Sequence, residues 1–211
     1  GTTSRGLGDV YKRQFKDYDE IASNLLSLPS VKGSAPLIRS QIMATFDNRN
    51  TGLEVFGISY ENLLRLDRIA KPEEFEGDIN DFKNGIAIGS GVARELGVKV
   101  GDSIKLISPN GVRTAFGTSP RVKQFKIVYI FTAGRYDIDR TRSYLPFSVA
   151  QEYFNREGLA DEIEVLLNNP SNLTEATSQI ENVVAPDVQL WTWRDASSSF
   201  LRALEIEDNV M

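Results

Sequence analysis

The sequence contains no cysteine and no histidine among its 211 residues. Without histidine the chain has no imidazole general base, so a Ser-His-Asp triad is excluded. The joint absence of both residue types also excludes an ordinary zinc site. A thiol nucleophile and a disulfide scaffold are excluded because both need cysteine. Any catalysis would therefore have to depend on carboxylates, lysine, tyrosine or serine.

Long hydrophobic runs and an excess of positive charge are missing as well. No stretch approaches the roughly 18 consecutive apolar residues that a membrane-spanning helix needs. The net charge is -5 and the isoelectric point is near 5.0. Because nucleic-acid binding requires a clustered basic surface, this composition argues against a nucleic-acid partner. The apolar content of 41% and the charged content of 25% are typical of a folded domain.

Both ends of the chain differ from the rest. Residues 1–14, GTTSRGLGDVYKRQ, begin without Met and show no periodicity. We expect them to be a non-native or disordered leader outside the fold. At the other end, DASSSFLRALEIEDNVM predicts a helix from Asp195 to Met211 that has no stop signal, which indicates that the native protein continues.

The patterns near the two ends predict one shared sheet. A helix follows Asp17, and the alternation of apolar and polar residues from Ala35 to Phe46 predicts a strand that turns into a partner strand. Residues 163–193 predict a strand, a helix and a second strand. Together these segments predict a porter-like, split βαβ subdomain with helices on one face, built from residues 15–60 and 157–211.

The middle of the chain, residues 61–156, shows a different pattern of predicted secondary structure. Short strands, several glycine turns and only brief helices predict an inserted β-rich subdomain. The predicted fold class is therefore α+β, with two subdomains of which one is built from both chain ends.

Within the insertion, the segment Ser108–Lys123 joins two strong strands and is predicted to project as a hairpin arm. Pro120 stiffens it, and Arg113 and Arg121 make it basic. An exposed Phe116 on such an arm would suit contact with an acidic partner. The alternative is a flexible loop that folds back on its own subdomain.

Two other motifs have some features of chemical sites. Gly89-Ser90-Gly91 begins like a phosphate loop, but Arg94 stands where a dinucleotide fingerprint has its third glycine, which favours a simple strand-to-helix turn. Asp137 and Asp139 alternate with arginines, a pattern more typical of solvated ion pairs than of a catalytic dyad. We therefore predict no catalytic residue, no cofactor site and no metal site.

Four stretches in this order resemble a known family: IAIGSGVARELGVKVGDSIKLISPNG, TSPRVKQFKIVYIF, YLPFSVAQEYFN and WTWRDASSSFLRALEIEDNVM. They are similar to the periplasmic domain of lipoprotein-releasing ABC transporter permeases of the LolC/LolE type, which contain a MacB-like periplasmic core domain. The resemblance covers about residues 15–211.

The resemblance implies an inner-membrane permease with this segment in the periplasm. It implies a partner permease of the same or a homologous kind, a lipoprotein substrate and a periplasmic carrier that receives the lipoprotein. It also implies a cytoplasmic ATPase subunit, so this chain is not expected to be an enzyme. LolC-like and LolE-like roles stay open, as do a homodimer and a heterodimer. The alternatives are a MacB-like exporter, an FtsX-like permease and a soluble small-molecule-binding domain.

By position, the resemblance matches the family's carrier-docking hairpin to Ser108–Lys123. It implies Arg113, Phe116, Pro120 and Arg121 as individual carrier contacts.

The resemblance also suggests a mechanical link to the membrane. The predicted helix Asp195–Met211 would couple the domain to a following membrane helix, with Phe200, Leu201 and Leu204 anchoring it to the sheet.

Overall fold

The computed structural model describes residues 12–169, 173–194 and 199–206. The strands are β1 (Lys12–Arg13), β2 (Val31–Phe46), β3 (Arg49–Ile58), β4 (Glu74–Gly77), β5 (Ile86–Gly89), β6 (Ser103–Thr114), β7 (Gly117–Thr132), β8 (Arg142–Pro146), β9 (Glu162–Leu167), β10 (Val188–Arg194) and β11 (Ser199–Ile206). The helices are α1 (Tyr18–Leu26), α2 (Tyr60–Leu63), α3 (Asp67–Ala70), α4 (Ser90–Leu96), α5 (Tyr136–Asp139), α6 (Phe147–Tyr153) and α7 (Leu173–Glu181), with a 3-10 helix at Ile79–Asn84. This mixture confirms the predicted α+β class.

The chain folds into two units, one of them built from both ends. The first unit runs to Leu37 and resumes at Gly158, and the second comprises Ile38–Glu157. The first boundary therefore lies at Leu37/Ile38 and not at 60/61 as predicted. The reason is that β2 is one long strand whose two halves have different partners: its first half pairs with β9, and its second half pairs with β3 and β6.

The first unit contains the predicted split βαβ arrangement. Strands β9 and β10 both pair antiparallel with β11, one on each side, so they run parallel to each other and α7 connects them. The first half of β2 continues the sheet beyond β9. Helix α7 buries Ala176 and Ile180, and α1 buries Ala22 and Leu25, which is the apolar face that each helix needs for stability in a small unit.

The predicted helix over Phe200, Leu201 and Leu204 is wrong, because these residues belong to strand β11. The backbone of Leu201 has Val165 as its partner on one side and Thr192 on the other. Two neighbouring strands supply hydrogen-bond partners to the whole segment, and this tertiary pairing overrides a local helical pattern. Residues 195–198 and 207–211 of the predicted helix lie outside the described residues.

The leader prediction is also wrong in part. Lys12 and Arg13 form β1, which pairs with the end of β11. Phe15 follows at once; it pairs with Ala160 and is 1% exposed. Residues 1–11 of the predicted leader lie outside the described part of the chain.

The second unit is built on a closed ring of strands. The pairings run from the second half of β2 to β3, β8, β5, β7 and β6, and β6 pairs back with β2. A sheet that closes on itself has no free edge within the ring, and its inward side chains form a single core. Strand β4 adds to the outside of the ring by pairing with β7.

Alternating residues of the ring fill its interior together with the apolar faces of α4 and α6. The buried core consists of Ile38, Ile42, Ala44, Leu53, Val55, Ile86, Ile88, Val92, Ala93, Leu96, Ile104, Leu106, Phe125, Ile127, Ile130, Leu145, Ala150, Tyr153 and Phe154. Aliphatic side chains dominate it, as expected for strands with one inward face. This packing makes the ring the rigid platform from which the β6–β7 hairpin extends.

Candidate docking arm

The strands β6 and β7 continue past the ring as a paired hairpin. We call residues Pro109–Pro120 the arm. Thr114 pairs with Gly117, so only Ala115 and Phe116 form the turn. The Thr114 hydroxyl donates to the Gly117 carbonyl oxygen at 2.8 Å and lies 3.3 Å from the Phe116 amide nitrogen, which donates to it. The sequence prediction of a projecting hairpin therefore describes the backbone better than a loop folded back on its subdomain.

A β-bulge lies at the base of the arm, next to the ring. Ser108 pairs with Arg121, whereas the next pair along the hairpin is Val112 with Ser119, so three residues of β6 face a single residue of β7. Gly111 lies in the bulge, and a Cβ atom there would approach the Ser119 carbonyl oxygen to 1.8 Å. Only glycine fits this crossing of the two backbones. Because bulges bend and twist a strand, the direction of the arm is set at this point.

Three of the four predicted contact residues lie on the exposed part of the arm. Phe116 is 102% exposed at the turn, and Arg113 and Pro120 are exposed on the strands. A large aromatic ring that the described residues leave entirely open to solvent is typical of a binding contact. The arm thus presents an apolar tip and an arginine to a partner.

The fourth predicted contact, Arg121, lies at the foot of the arm and is engaged within the unit. Its Nη1 atom donates to the carbonyl oxygens of Glu152 at 2.9 Å and Tyr153 at 3.0 Å. Its Nη2 atom donates to Asn155 Oδ1 at 3.3 Å. Arg121 is therefore bound to the end of α6, and its contact with the carrier stays a prediction.

Sequence reasoning missed Tyr153 and Asn155 as parts of the arm's foot. The Tyr153 hydroxyl lies 2.8 Å from the carbonyl oxygen of Leu106, to which it donates, and burial raises its pKa to about 12. Asn155 has a φ of 59°, the left-handed conformation that often ends a helix. The asparagine that ends the helical pattern SVAQEYFN was the available signal for this ending.

An apolar groove lies beside the foot of the arm. It has a volume of about 700 Å³, and Pro109 and Pro120 are among the residues that line it. Its floor includes Met43 and Ile107, which pair across β2 and β6, and Met43 is 44% exposed. Met43 lies between the buried residues Ile42 and Ala44, so the alternation along this strand did contain a signal for its exposure.

The glycine turn at residues 89–91 joins β5 directly to α4. A Cβ atom on Gly89 would lie 2.3 Å from the Asp139 carbonyl oxygen, and one on Gly91 would lie 2.8 Å from the Arg140 Cα. The backbone that ends α5 therefore packs tightly against this turn. Such contact leaves no room for a phosphate on that side and explains the two glycines by close packing.

The carboxylates Asp137 and Asp139 have separate structural tasks. Asp139 is 8% exposed and accepts backbone hydrogen bonds from Ala133 at 2.6 Å and Gly134 at 3.1 Å. Asp137 is exposed and forms an ion pair with Arg135 at 3.0 Å. Neither arrangement is that of a pair of carboxylates sharing a cleft. In the part of the chain that the structure describes, no three metal-ligating side chains cluster, and no helix is long and apolar enough to cross a membrane.

The sequence matches known proteins over most of its length. The model of the MacB-like periplasmic core domain matches residues 3–183. The lipoprotein-releasing system transmembrane protein LolC of Neisseria meningitidis is 27% identical over 186 residues, which cover 86% of this chain and 44% of LolC. LolC of Xylella fastidiosa is 23% identical over 198 residues, which cover 92% of this chain and 47% of that protein. The chain thus spans less than half the length of these relatives.

Two solved structures share the fold at low sequence identity. The periplasmic region of MacB from Actinobacillus actinomycetemcomitans superposes with a TM-score of 0.53 at 11% identity, covering 86% of this chain and 78% of that one. The extracellular domain of the ABC-type transporter YknZ from Gram-positive bacteria gives a TM-score of 0.52 at 14% identity, covering 80% and 81%. These likenesses support the α+β architecture described above.

Proposed function

Because the chain belongs to the family of MacB-like periplasmic core domains, we propose that it is the periplasmic part of an inner-membrane permease that releases lipoproteins. The similarity to LolC proteins supports the lipoprotein-releasing class. The permease would work with a second permease subunit, and ATP hydrolysis would take place on a separate cytoplasmic subunit. No step of the chemistry is assigned to this chain.

The single observation that best supports a docking role is the fully exposed Phe116 at the tip of a paired hairpin that has a β-bulge at its base. Burial of a phenylalanine side chain in a partner stabilises a complex by about 1.5–3 kcal/mol, so one such residue can dominate a small contact. Arg113 adds a positive charge beside it, which favours a partner with an acidic rim around an apolar pocket. A periplasmic lipoprotein carrier is the partner that the LolC-like class implies.

The docking role is tested by a double substitution at the arm. Phe116→Asp with Arg113→Glu is expected to lower the affinity for the purified carrier at least about tenfold, since it removes the apolar anchor and reverses the charge. Tyr136→Asp is the matched control, because Tyr136 is 79% exposed on the same unit but lies outside the arm. Isothermal titration would measure both. Carrier binding by the double variant at the parent level, with an unchanged melting temperature, would refute the docking role.

Photocrosslinking distinguishes the proposed class from export or signalling. A benzoylphenylalanine at position 116 in the full-length permease is expected to capture the lipoprotein carrier in cells. Capture of a component of an export channel in place of the carrier would favour a MacB-like exporter and would contradict the lipoprotein-releasing class.

A further inference from the structure

We propose that Arg121 and Tyr153 form a clamp that fixes the direction of the arm on helix α6, so that Arg121 is a positioning residue for docking. The consequence for partner binding rests on the proposed function. The clamp itself rests only on the contacts at the foot of the arm.

The first half of the clamp is the guanidinium of Arg121 at the end of α6. The last carbonyl groups of a helix have no partner within the helix, and they carry partial negative charge. Arg121 Nη1 meets two of them, on Glu152 and Tyr153, at 2.9 and 3.0 Å. Nη2 adds the Asn155 side chain at 3.3 Å. The planar guanidinium group of Arg121 therefore donates hydrogen bonds to three oxygen atoms at the end of α6.

The second half of the clamp is the side chain of Tyr153. Its hydroxyl lies 2.8 Å from the carbonyl oxygen of Leu106 on β6 and 3.1 Å from that of Arg121 on β7. A single residue of α6 thus reaches the main chain of both strands of the hairpin. Its ring is 2% exposed and packs edge-on against Phe125 at 5.7 Å between centroids, which fixes the hydroxyl in place.

The clamp ends where the bulge begins. Arg121 directly follows Pro120, and Pro120 faces the bulge that contains Gly111. Beyond this point the exposed residues 113–120 extend as a two-stranded ribbon, which has marginal stability by itself. Because the exposed ribbon starts from this foot, the clamp determines the direction in which the ribbon leaves the unit.

Loss of the clamp is expected to reduce the fraction of molecules whose arm points in the binding direction. The apparent Kd rises by the inverse of that fraction, and we expect an increase of about three- to tenfold for Arg121→Gln. A lysine side chain can place its ammonium group near the helix end, but it cannot bond the same three oxygen atoms in the planar geometry of a guanidinium group. Arg121→Lys should therefore restore the effect only in part.

The direction of the arm can be measured without any partner. Because the chain has no cysteine, the substitutions Ala115→Cys at the tip of the arm and Lys83→Cys elsewhere in the second unit give two unique sites for spin labels. The parent is expected to show one narrow distance distribution, and Arg121→Gln a distribution at least about twice as wide. Arg113→Gln makes the same charge change farther along the arm and should leave the width unchanged. Circular dichroism would confirm that each variant is folded.

An Arg121→Gln distribution as narrow as the parent's would overturn the clamp. For the effect on docking, the association and dissociation rates of the carrier are measured on the same variants. A slower association with a nearly unchanged dissociation supports positioning, since the tip contacts stay intact once formed. A broadened distribution with unchanged carrier affinity would overturn the positioning role. If the parent binds no carrier, the proposed function fails while the distance measurement still decides the clamp.

Discussion

Arg121 and Tyr153 donate hydrogen bonds to each other's main chain. The guanidinium of Arg121 lies 3.0 Å from the Tyr153 carbonyl oxygen, and the Tyr153 hydroxyl lies 3.1 Å from the Arg121 carbonyl oxygen. This reciprocity joins the end of a core helix to the foot of an exposed hairpin. The arm thus begins from the rigid interior of the ring and not from a surface loop.

Stability is expected to fall at alkaline pH because of two buried tyrosines. Burial raises the pKa of Tyr129 and of Tyr153 to about 12 in the folded chain, against 10.0 for the free side chain. Between these two pKa values only the unfolded chain releases the tyrosine protons. The stabilisation of the folded state by the two protonated tyrosines is therefore complete below about pH 10 and is lost as the pH rises towards about 12. Urea unfolding from pH 7 to 11.5 should show this decline.

The substitution Tyr153→Phe distinguishes the contribution of Tyr153 to this pH dependence from that of Tyr129. It should lower the free energy of unfolding at pH 7 by about 1 kcal/mol through the lost hydroxyl bonds, and it should flatten the alkaline decline. A decline as steep as that of the parent would contradict the assignment to Tyr153.

The glycine turn at the start of α4 should tolerate no side chain. Gly89→Ala places a methyl group 2.3 Å from the Asp139 carbonyl oxygen, and the resulting shift should cost about 1–3 kcal/mol or more. Gly52→Ala is the control, since its added Cβ has nothing within 4 Å. We expect the control to change stability by no more than about 0.5 kcal/mol. Equal urea midpoints for the two variants would contradict the close packing of this turn.

A carboxylate flanked by two arginines should contribute more than an exposed pair. Glu54 accepts from Arg39 Nη2 at 2.9 Å and lies 3.9 Å from Arg142 Nε, with its side chain 15% exposed. Both guanidinium groups also lie 5.1 Å from the ring centre of Phe56. Glu54→Gln should therefore cost about 1–3 kcal/mol.

Asp137→Asn provides the matched comparison for Glu54→Gln. The Asp137 side chain is 62% exposed in its pair with Arg135, so its loss should cost less than about 1 kcal/mol and should vanish in high salt. Unfolding measured in 0.05 and 1 M salt would distinguish the two sites. The same small cost at both would contradict the role of Glu54.

Strand β11 can be distinguished from a helix by nuclear Overhauser effects. The pairing of Leu201 with Val165 and Thr192 predicts contacts between backbone protons of sequence-distant residues. A helix would instead give backbone contacts only between residues up to four positions apart. If the strand is observed, coupling of Phe200, Leu201 and Leu204 to the membrane, which stays a prediction, would have to pass through the sheet.

Local patterns predicted most individual elements because their periodicity agrees with their final surroundings. The alternation in β2, the strand-to-helix turn at Gly89 and the strand-helix-strand order at residues 163–193 all appear in the structure. The segment around Leu201 failed because its apolar spacing suits a helix, whereas two flanking strands supply pairing that no local pattern reveals. The location of the arm was predictable from its prolines and flanking strands, and the engagement of Arg121 was not.

The sequence by itself determined the composition of the site: a basic hairpin with an apolar tip, free of the residue types that most catalysis and zinc binding require. It also determined the α+β class, because local periodicity distinguishes strands from helices. Only the tertiary structure decided that six strands close into a ring and that Gly111 lies where two backbones cross. It likewise decided that Arg121 faces the end of α6, since contacts between residues more than 30 positions apart depend on how the chain folds back on itself.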